Sequence, residues 1–372
     1  MRITIPTVPE ALLSRKGTPI DVSQASEKVA NFLSGGNALV ITGAGVSVES
    51  GIRLGTPNNR TSTMNSLILP REVTVSGKQR YWSRSYLGYP PVRDAQPNPT
   101  HFALAALQWS GFVPRLITQN VDGLHQKAVP NEAPLNSPGH ILELHGTLHV
   151  GKNHTVNREE FQDQLSRLNP AWKDFVDEMT RTGTQPRTNP DGDVDIRGVD
   201  FSNFVLPVCK TCLAEGIRDD AVDEAGSDLF WRIDPSAGET KIVRASLSTH
   251  AVKNQSPINF ATNHRFSDVE ASDRVLFIGT TLATYSAFRL LKHAIELNKP
   301  TMLLNLGPTR AHGVPEVDIV EAASSDVLRA ATRTLAKDLK GEPGRVVNRL
   351  LESGVVTPPP DDMEDRAPRA AG

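Results

Sequence analysis

Residues 38–47 read Ala38-Leu39-Val40-Ile41-Thr42-Gly43-Ala44-Gly45-Val46-Ser47, an apolar, β-branched run that stops in a glycine-bearing turn. A short run without polar alternation marks a strand buried on both faces, as in a parallel sheet covered by helices. Three more runs repeat the pattern at residues 113–118, 274–279 and 301–305, each ending in a polar or glycine turn. Helical patterns at 26–33, 101–109, 284–297 and 325–339 lie between and after them. That alternation predicts an α/β fold, a doubly wound parallel Rossmann-like sheet.

The rhythm breaks between residues 150 and 263. That stretch holds helical patches at 158–168 and 172–180, a Pro/Gly/Asp-rich loop at 184–198, the pair Cys209 and Cys212, and a polar, aperiodic segment at 219–260. Because strands resume at 274, it reads as an inserted small domain. The 372 residues carry 40 Lys+Arg against 42 Asp+Glu, a net charge of −2. Nucleic acid is therefore not expected as the main partner, since phosphate binding usually leaves a basic excess. No apolar run approaches the about 18 residues of a membrane span. Two cysteines so close together exclude a disulfide framework. Residues 1–21 lack the apolar core of a secretory leader, and the proline-rich, acidic stretch 354–372 is expected to be a disordered tail.

Chemistry gathers where strands end. After the first run come Gly43-Ala44-Gly45-Val46-Ser47 and then Glu49-Ser50-Gly51. Such glycines let backbone N–H groups approach an anion beside a helix start. The turn is not Gly-x-Gly-x-x-Gly, since Val48 holds the third glycine position, and an ordinary helix-entry turn is the competing reading. After the second run comes Thr118-Gln119-Asn120-Val121-Asp122-Gly123-Leu124-His125, placed where parallel sheets bind ligands, or simply an Asn/Asp/Gly turn. Glu143-Leu144-His145-Gly146 offers a histidine suited to general-base work. Gly279-Thr280-Thr281 and Leu304-Asn305-Leu306-Gly307 close the third and fourth runs.

Taken in this order, these segments resemble the sirtuin family of NAD-dependent protein deacylases, from Val40 to Arg310. Arg80-Tyr81-Trp82-Ser83-Arg84 and Leu306-Gly307-Pro308-Thr309-Arg310 are most similar to the mitochondrial class II sirtuins. The resemblance implies NAD as cofactor, with Gly43, Ala44 and Gly45 at the pyrophosphate and Gln119 and Asn120 at the nicotinamide ribose. It places Asp122 on the carboxamide and Gly279, Thr280 and Asn305 toward the adenosine, with Ser47 and Thr281 among the remaining cofactor-binding residues. His145 and Asn120 become the catalytic residues. In the family the acyl-lysine carbonyl oxygen attacks the ribose C1′ as nicotinamide leaves; the base, here His145, then activates a ribose hydroxyl to give lysine and O-acyl-ADP-ribose. ADP-ribosyl transfer belongs to the same family. The implied partners are acyl-lysine proteins, and the implied compartment is the mitochondrial matrix.

The implied division is an extension at 1–24, an NAD-binding domain from 25–147 and 265–340 with a helical excursion near 53–96, a small domain at 148–264, and a helix end and tail at 341–372. Tyr81 and Arg84, three residues apart, share a face if helical and read an acidic acyl group in the family; the alternative is a surface arginine in an ion pair. Three departures stand out. Ser50-Gly51-Ile52 is not followed by the family's aromatic-Arg run. The substrate loop is missing from 219–260. The structural zinc site retains only Cys209 and Cys212, with His149 and His154 as candidate replacements for the first cysteine pair; the alternatives are an unmetallated remnant and a redox pair. A catalytically impaired NAD sensor or scaffold therefore stands beside the deacylase reading.

Overall fold

The computed structural model describes residues 20–52, 75–130, 140–145, 147, 158–183, 203–207, 231–233, 242–244 and 265–354. Asp21 accepts from the Ser23 N–H at 3.0 Å and so caps α1 (Val22–Ser34), which turns its Ala25, Val29, Ala30 and Leu33 stripe inward. β1 (Ala38–Thr42) is buried at every position. A 3-10 turn (Ala44–Ser50) follows, and then α2 (Val75–Asp94), the helical excursion expected near 53–96. Asn98 caps α3 (Pro99–Trp109) reciprocally with His101, and Pro99 occupies the first helical turn. The chain continues through β2 (Arg115–Thr118), the one-turn α4 (Leu124–Ala128) and β3 (His140–Glu143).

The small-domain region contributes α5 (Arg158–Leu168), α6 (Pro170–Thr182) and an antiparallel pair, β4 (Trp231–Ile233) with β5 (Ile242–Arg244). This pair lies within the stretch 219–260 that the sequence left without a period. The chain then resumes with α7 (265–271), β6 (Arg274–Ile278), α8 (Tyr285–Glu296), β7 (Thr301–Leu304) and β8 (Val317–Val320). It closes with α9 (Ser324–Ala336) and α10 (Gly341–Glu352). Where the sequence suggested only a helix end, α10 is a three-turn helix that buries Val346, Val347, Leu350 and Leu351 in the main core.

Six parallel strands form one sheet in the order β3-β2-β1-β6-β7-β8. Counted along the chain within that sheet, the order is 3-2-1-4-5-6, the doubly wound arrangement of dinucleotide-binding folds. Alternate residues of each strand feed opposite layers. Val40, Leu116, Leu276 and Leu304 pack with α1, α3, α9 and α10, whereas Leu39, Ile41, Phe277 and Leu303 pack with α7 and α8. Each such fully buried apolar side chain contributes about 1.5–3 kcal/mol. The order reverses beside β1, so the loops leaving β1 and β6 diverge and open a crevice at their carboxyl ends.

A separate cluster joins α2 to α5 and α6 through Tyr86, Leu87, Phe161, Leu165 and Phe204, with Trp172 edge-on to Phe204 at 5.2 Å. Asn169 pins residue 205 reciprocally: its amide donates to Val205 O at 2.8 Å and its oxygen accepts the Val205 N–H at 2.7 Å. Among the described residues no helix is long and apolar enough to cross a membrane.

Candidate active site

The crevice is lined by the ends of β1, β2 and β6. Gly45 N–H bonds Gly279 O at 2.7 Å, and a Cβ on Gly45 would stand 2.8 Å from the Gly279 backbone. The two turns approach so closely that only glycine fits, which leaves a wall of bare backbone suited to an anion. Beyond it, Leu282 takes a φ of 53°, held by complete side-chain burial and by its N–H on Thr280 Oγ1 at 3.1 Å. A branched residue in that region is strained, and such strain gathers at working loops.

Asn120, Asp122 and Ser47 form one buried network. Asn120 Nδ2 donates to Ser47 Oγ at 2.9 Å and to Gly43 O at 3.2 Å, and Ser47 Oγ donates to Asp122 Oδ2 at 2.7 Å. Asp122 Oδ1 accepts the Leu124 N–H and so starts α4. Ser47, which the resemblance counted among the cofactor-binding residues, is thus also the link between the two loops. Gln119 is engaged otherwise. Its amide donates to Thr42 O at 3.2 Å and to Thr280 Oγ1 at 3.0 Å, while its oxygen accepts from Thr284 Oγ1 at 2.8 Å. Its side chain ties the strand ends together across the crevice.

His145 sits just past β3 on the open side. Its Nδ1 lies 2.8 Å from Gln119 O and its Nε2 lies 2.8 Å from Ser286 Oγ. A carbonyl can only accept, so Nδ1 carries the proton and the neutral ring keeps its lone pair on Nε2. The residue reaches solvent, yet surrounding protein desolvates the ring and lowers its pKa, and the Arg265 charge acts in the same direction against the Gln119 bond. The result is an uncharged base near neutral pH. Two residues before it, Glu143 is pushed up to about 7, first by desolvation and also by the Asp122 charge, against hydrogen bonds from Thr147 and Gln126.

Behind the network two imidazoles, those of His101 and His125, meet in a tilted arrangement with centroids 4.7 Å apart and ring planes at 55°. His125 Nε2 meets Thr42 Oγ1 at 2.9 Å, and Asn98 Nδ2 donates to Val46 O at 2.7 Å. Burial pushes the His125 pKa to about 3 and holds His101 well below its usual value, with the His125 charge adding to the effect. Asn98, His101 and Thr42 were missed as site residues because nothing in their local sequence distinguishes a support from a helix cap or a strand end.

Of the other expected residues, Gly43, Ala44, Thr280 and Thr281 lie on the crevice turns, and Asn305 follows β7, its amide donating to Leu306 O at 2.9 Å. Arg84 on α2 is 7% exposed, which corrects the surface-arginine alternative; the side chain of Tyr81 lies outside the described residues. Cys209, Cys212, His149 and His154 also lie outside them, and among the described residues no cluster of metal-ligating side chains occurs. The family's missing aromatic-Arg run and most of the missing substrate loop fall outside them too.

Residues 43–286 match the profile of the Sir2 family. The chain is 32% identical over 328 residues to an NAD-dependent protein deacylase SIR4 of Batrachochytrium dendrobatidis, covering 84% of this chain and 95% of that one. It is 31% identical over 310 residues to the NAD-dependent protein deacylase Sirt4 of Drosophila melanogaster, covering 80% and 83%. An NAD-dependent protein deacetylase of Xanthomonas campestris is 33% identical over 296 residues, covering 77% and 83%. Among solved structures, a mutant Sir2 homologue complexed with ADP-ribose is similar with a TM-score of 0.50 and 20% identity, covering 85% of this chain and 99% of that one.

Proposed function

The chain belongs to the Sir2 family, and on that premise we propose that it is an NAD-dependent protein-lysine deacylase with His145 as general base. The observation that carries the reading is the neutral His145 ring, its Nε2 lone pair at the mouth of a crevice whose floor is Ser47, Asn120 and Asp122. The residues fit NAD: bare backbone at Gly43–Gly45 and Gly279 suits a pyrophosphate, and the buried hydroxyl, amide and carboxylate suit a ribose and a carboxamide. When bound, NAD supplies a C1′ centre from which nicotinamide departs.

In this reading Asn120 and Ser47 orient the ribose, Asp122 holds the carboxamide, and Thr280, Thr281 and Asn305 receive the adenosine half. His145 Nε2 removes a proton from a ribose hydroxyl once the acyl-lysine carbonyl oxygen is in place. Arg84, buried on α2, is read with Tyr81 as the group that meets an acidic acyl chain. The sheet with α1–α4 and α7–α10 forms the NAD-binding domain, and residues 148–264 form the small domain. Cys209 and Cys212 are read as half of a zinc site completed by His149 and His154, and the compartment as mitochondrial. Metal analysis of the purified chain tests the zinc: well below one zinc per chain rules out a working site.

Mass spectrometry of reactions with acyl-lysine peptides and NAD tests the main reading. O-acyl-ADP-ribose is expected from the wild type and not from His145→Ala. NAD binding without product from any acyl-lysine peptide leaves the second reading, a sensor or scaffold of the same fold.

A further inference from the structure

We propose that Ser286 is a positioning residue for the base: its hydroxyl donates to His145 Nε2 and, with Gln119 O on Nδ1, clamps the ring in the one tautomer that leaves Nε2 basic. This rests on His145 being the general base. The two contacts are each 2.8 Å and lie on opposite ring nitrogens, so the imidazole cannot turn about χ2 without breaking one. Ser286 is the second residue of α8, which Ala287, Phe288, Leu290 and Leu291 anchor in the core. The residue that precedes α8, Thr284, donates to Gln119 Oε1 at 2.8 Å. The start of α8 therefore fixes the base at one end through Ser286, and it fixes at the other the residue whose carbonyl holds Nδ1.

The direction of each bond follows from donor and acceptor capacity. Gln119 O takes the single proton of the neutral ring, so the hydroxyl must give its own to Nε2. Ser286 Oγ then occupies the position that a substrate hydroxyl takes when it surrenders its proton, and one χ1 turn of the serine clears it.

The test separates the step that needs a base from the one that does not. Exchange of labelled nicotinamide into NAD reads departure and return of nicotinamide; O-acyl-ADP-ribose formation also reads the base. Ser286→Ala is expected to slow product formation about threefold to tenfold, the worth of one hydrogen bond, while exchange stays within about twofold. Ser286→Thr, which keeps the hydroxyl, is expected to restore product formation. Nitrogen-15 NMR of His145 in enzyme without NAD is expected to show Nδ1 protonated in the wild type, with the second tautomer appearing in Ser286→Ala. A wild-type ring protonated on Nε2, or a Ser286→Ala enzyme that loses both activities equally or neither, overturns the proposal. His145→Ala that retains full product formation overturns the base assignment instead.

Discussion

Ser47 Oγ and Asp122 Oδ2 stand 2.7 Å apart, both nearly sealed from solvent, although 75 residues separate them in the chain. The same serine oxygen accepts from Asn120 Nδ2, so one hydroxyl holds the loop after β1 to the loop after β2. Ser47→Ala leaves a buried carboxylate oxygen and an amide without this partner. A stability loss of about 1–3 kcal/mol in urea unfolding is expected, since stranded buried polar groups cost that much. NAD affinity by calorimetry should fall about tenfold; unchanged affinity would remove Ser47 from the cofactor network.

Gly45→Ala places a methyl 2.8 Å from both Cα and O of Gly279, backbone atoms that cannot swing aside. A loss of about 1–3 kcal/mol is expected from the forced separation of the turns, together with weakened NAD binding. Gly313→Ala, where a Cβ meets nothing within 4 Å, is the control and should stay within about 0.5 kcal/mol.

Glu143 has a folded-state pKa of about 7 against an ordinary 4.5. Between those values the folded chain keeps a proton that the unfolded chain has lost, so stability falls as pH rises through that window. Glu143→Gln removes the titration. Urea midpoints at pH 5 and pH 7.5 should lie closer together in the variant than in the wild type; an equal spread would show that the carboxyl ionises freely.

The His101–His125 pair acts in the opposite sense. Both folded-state pKa values lie below 6.5, His125 at about 3, so below pH 6.5 the unfolded chain binds protons that the folded chain refuses. Stability contributed by the neutral pair is intact above that value and drains as pH falls toward 3. His125→Gln, which keeps a polar partner for Thr42, is expected to lower stability at neutral pH and to flatten the acid slope between pH 6 and pH 4. A slope as steep as the wild type's would assign acid sensitivity to other groups.

How far the sequence reached depended on how much of each element is buried. β1, β6 and β7 are covered on both faces and so appear as unbroken apolar runs, found to within one residue. β3 and β8 were not found. They are the edges of the sheet, and β8 alternates buried Val317 and Val320 with exposed Asp318, which breaks the apolar run. β4 and β5 are three-residue strands, too short to carry a period. Pro90 and Pro91 inside α2 obscured the ends of a 20-residue helix that the sequence placed only loosely, near 53–96.

The sequence alone determined the alternation of strand and helix, the Gly43–Ser47, Gln119–Asp122 and Glu143–His145 segments, and through them the family. These are local properties: hydrophobic period, turn chemistry and residue order along the chain. Tertiary structure decided which groups share a bond. His145 and Ser286 are 141 positions apart, Gln119 and Thr284 are 165, and a serine at the start of a helix has no mark that sets it apart from a cap. The sheet order, reversing beside β1, brings those positions within 3 Å, because strand pairing fixes the backbone and leaves the side chains at its carboxyl edge to find partners across it.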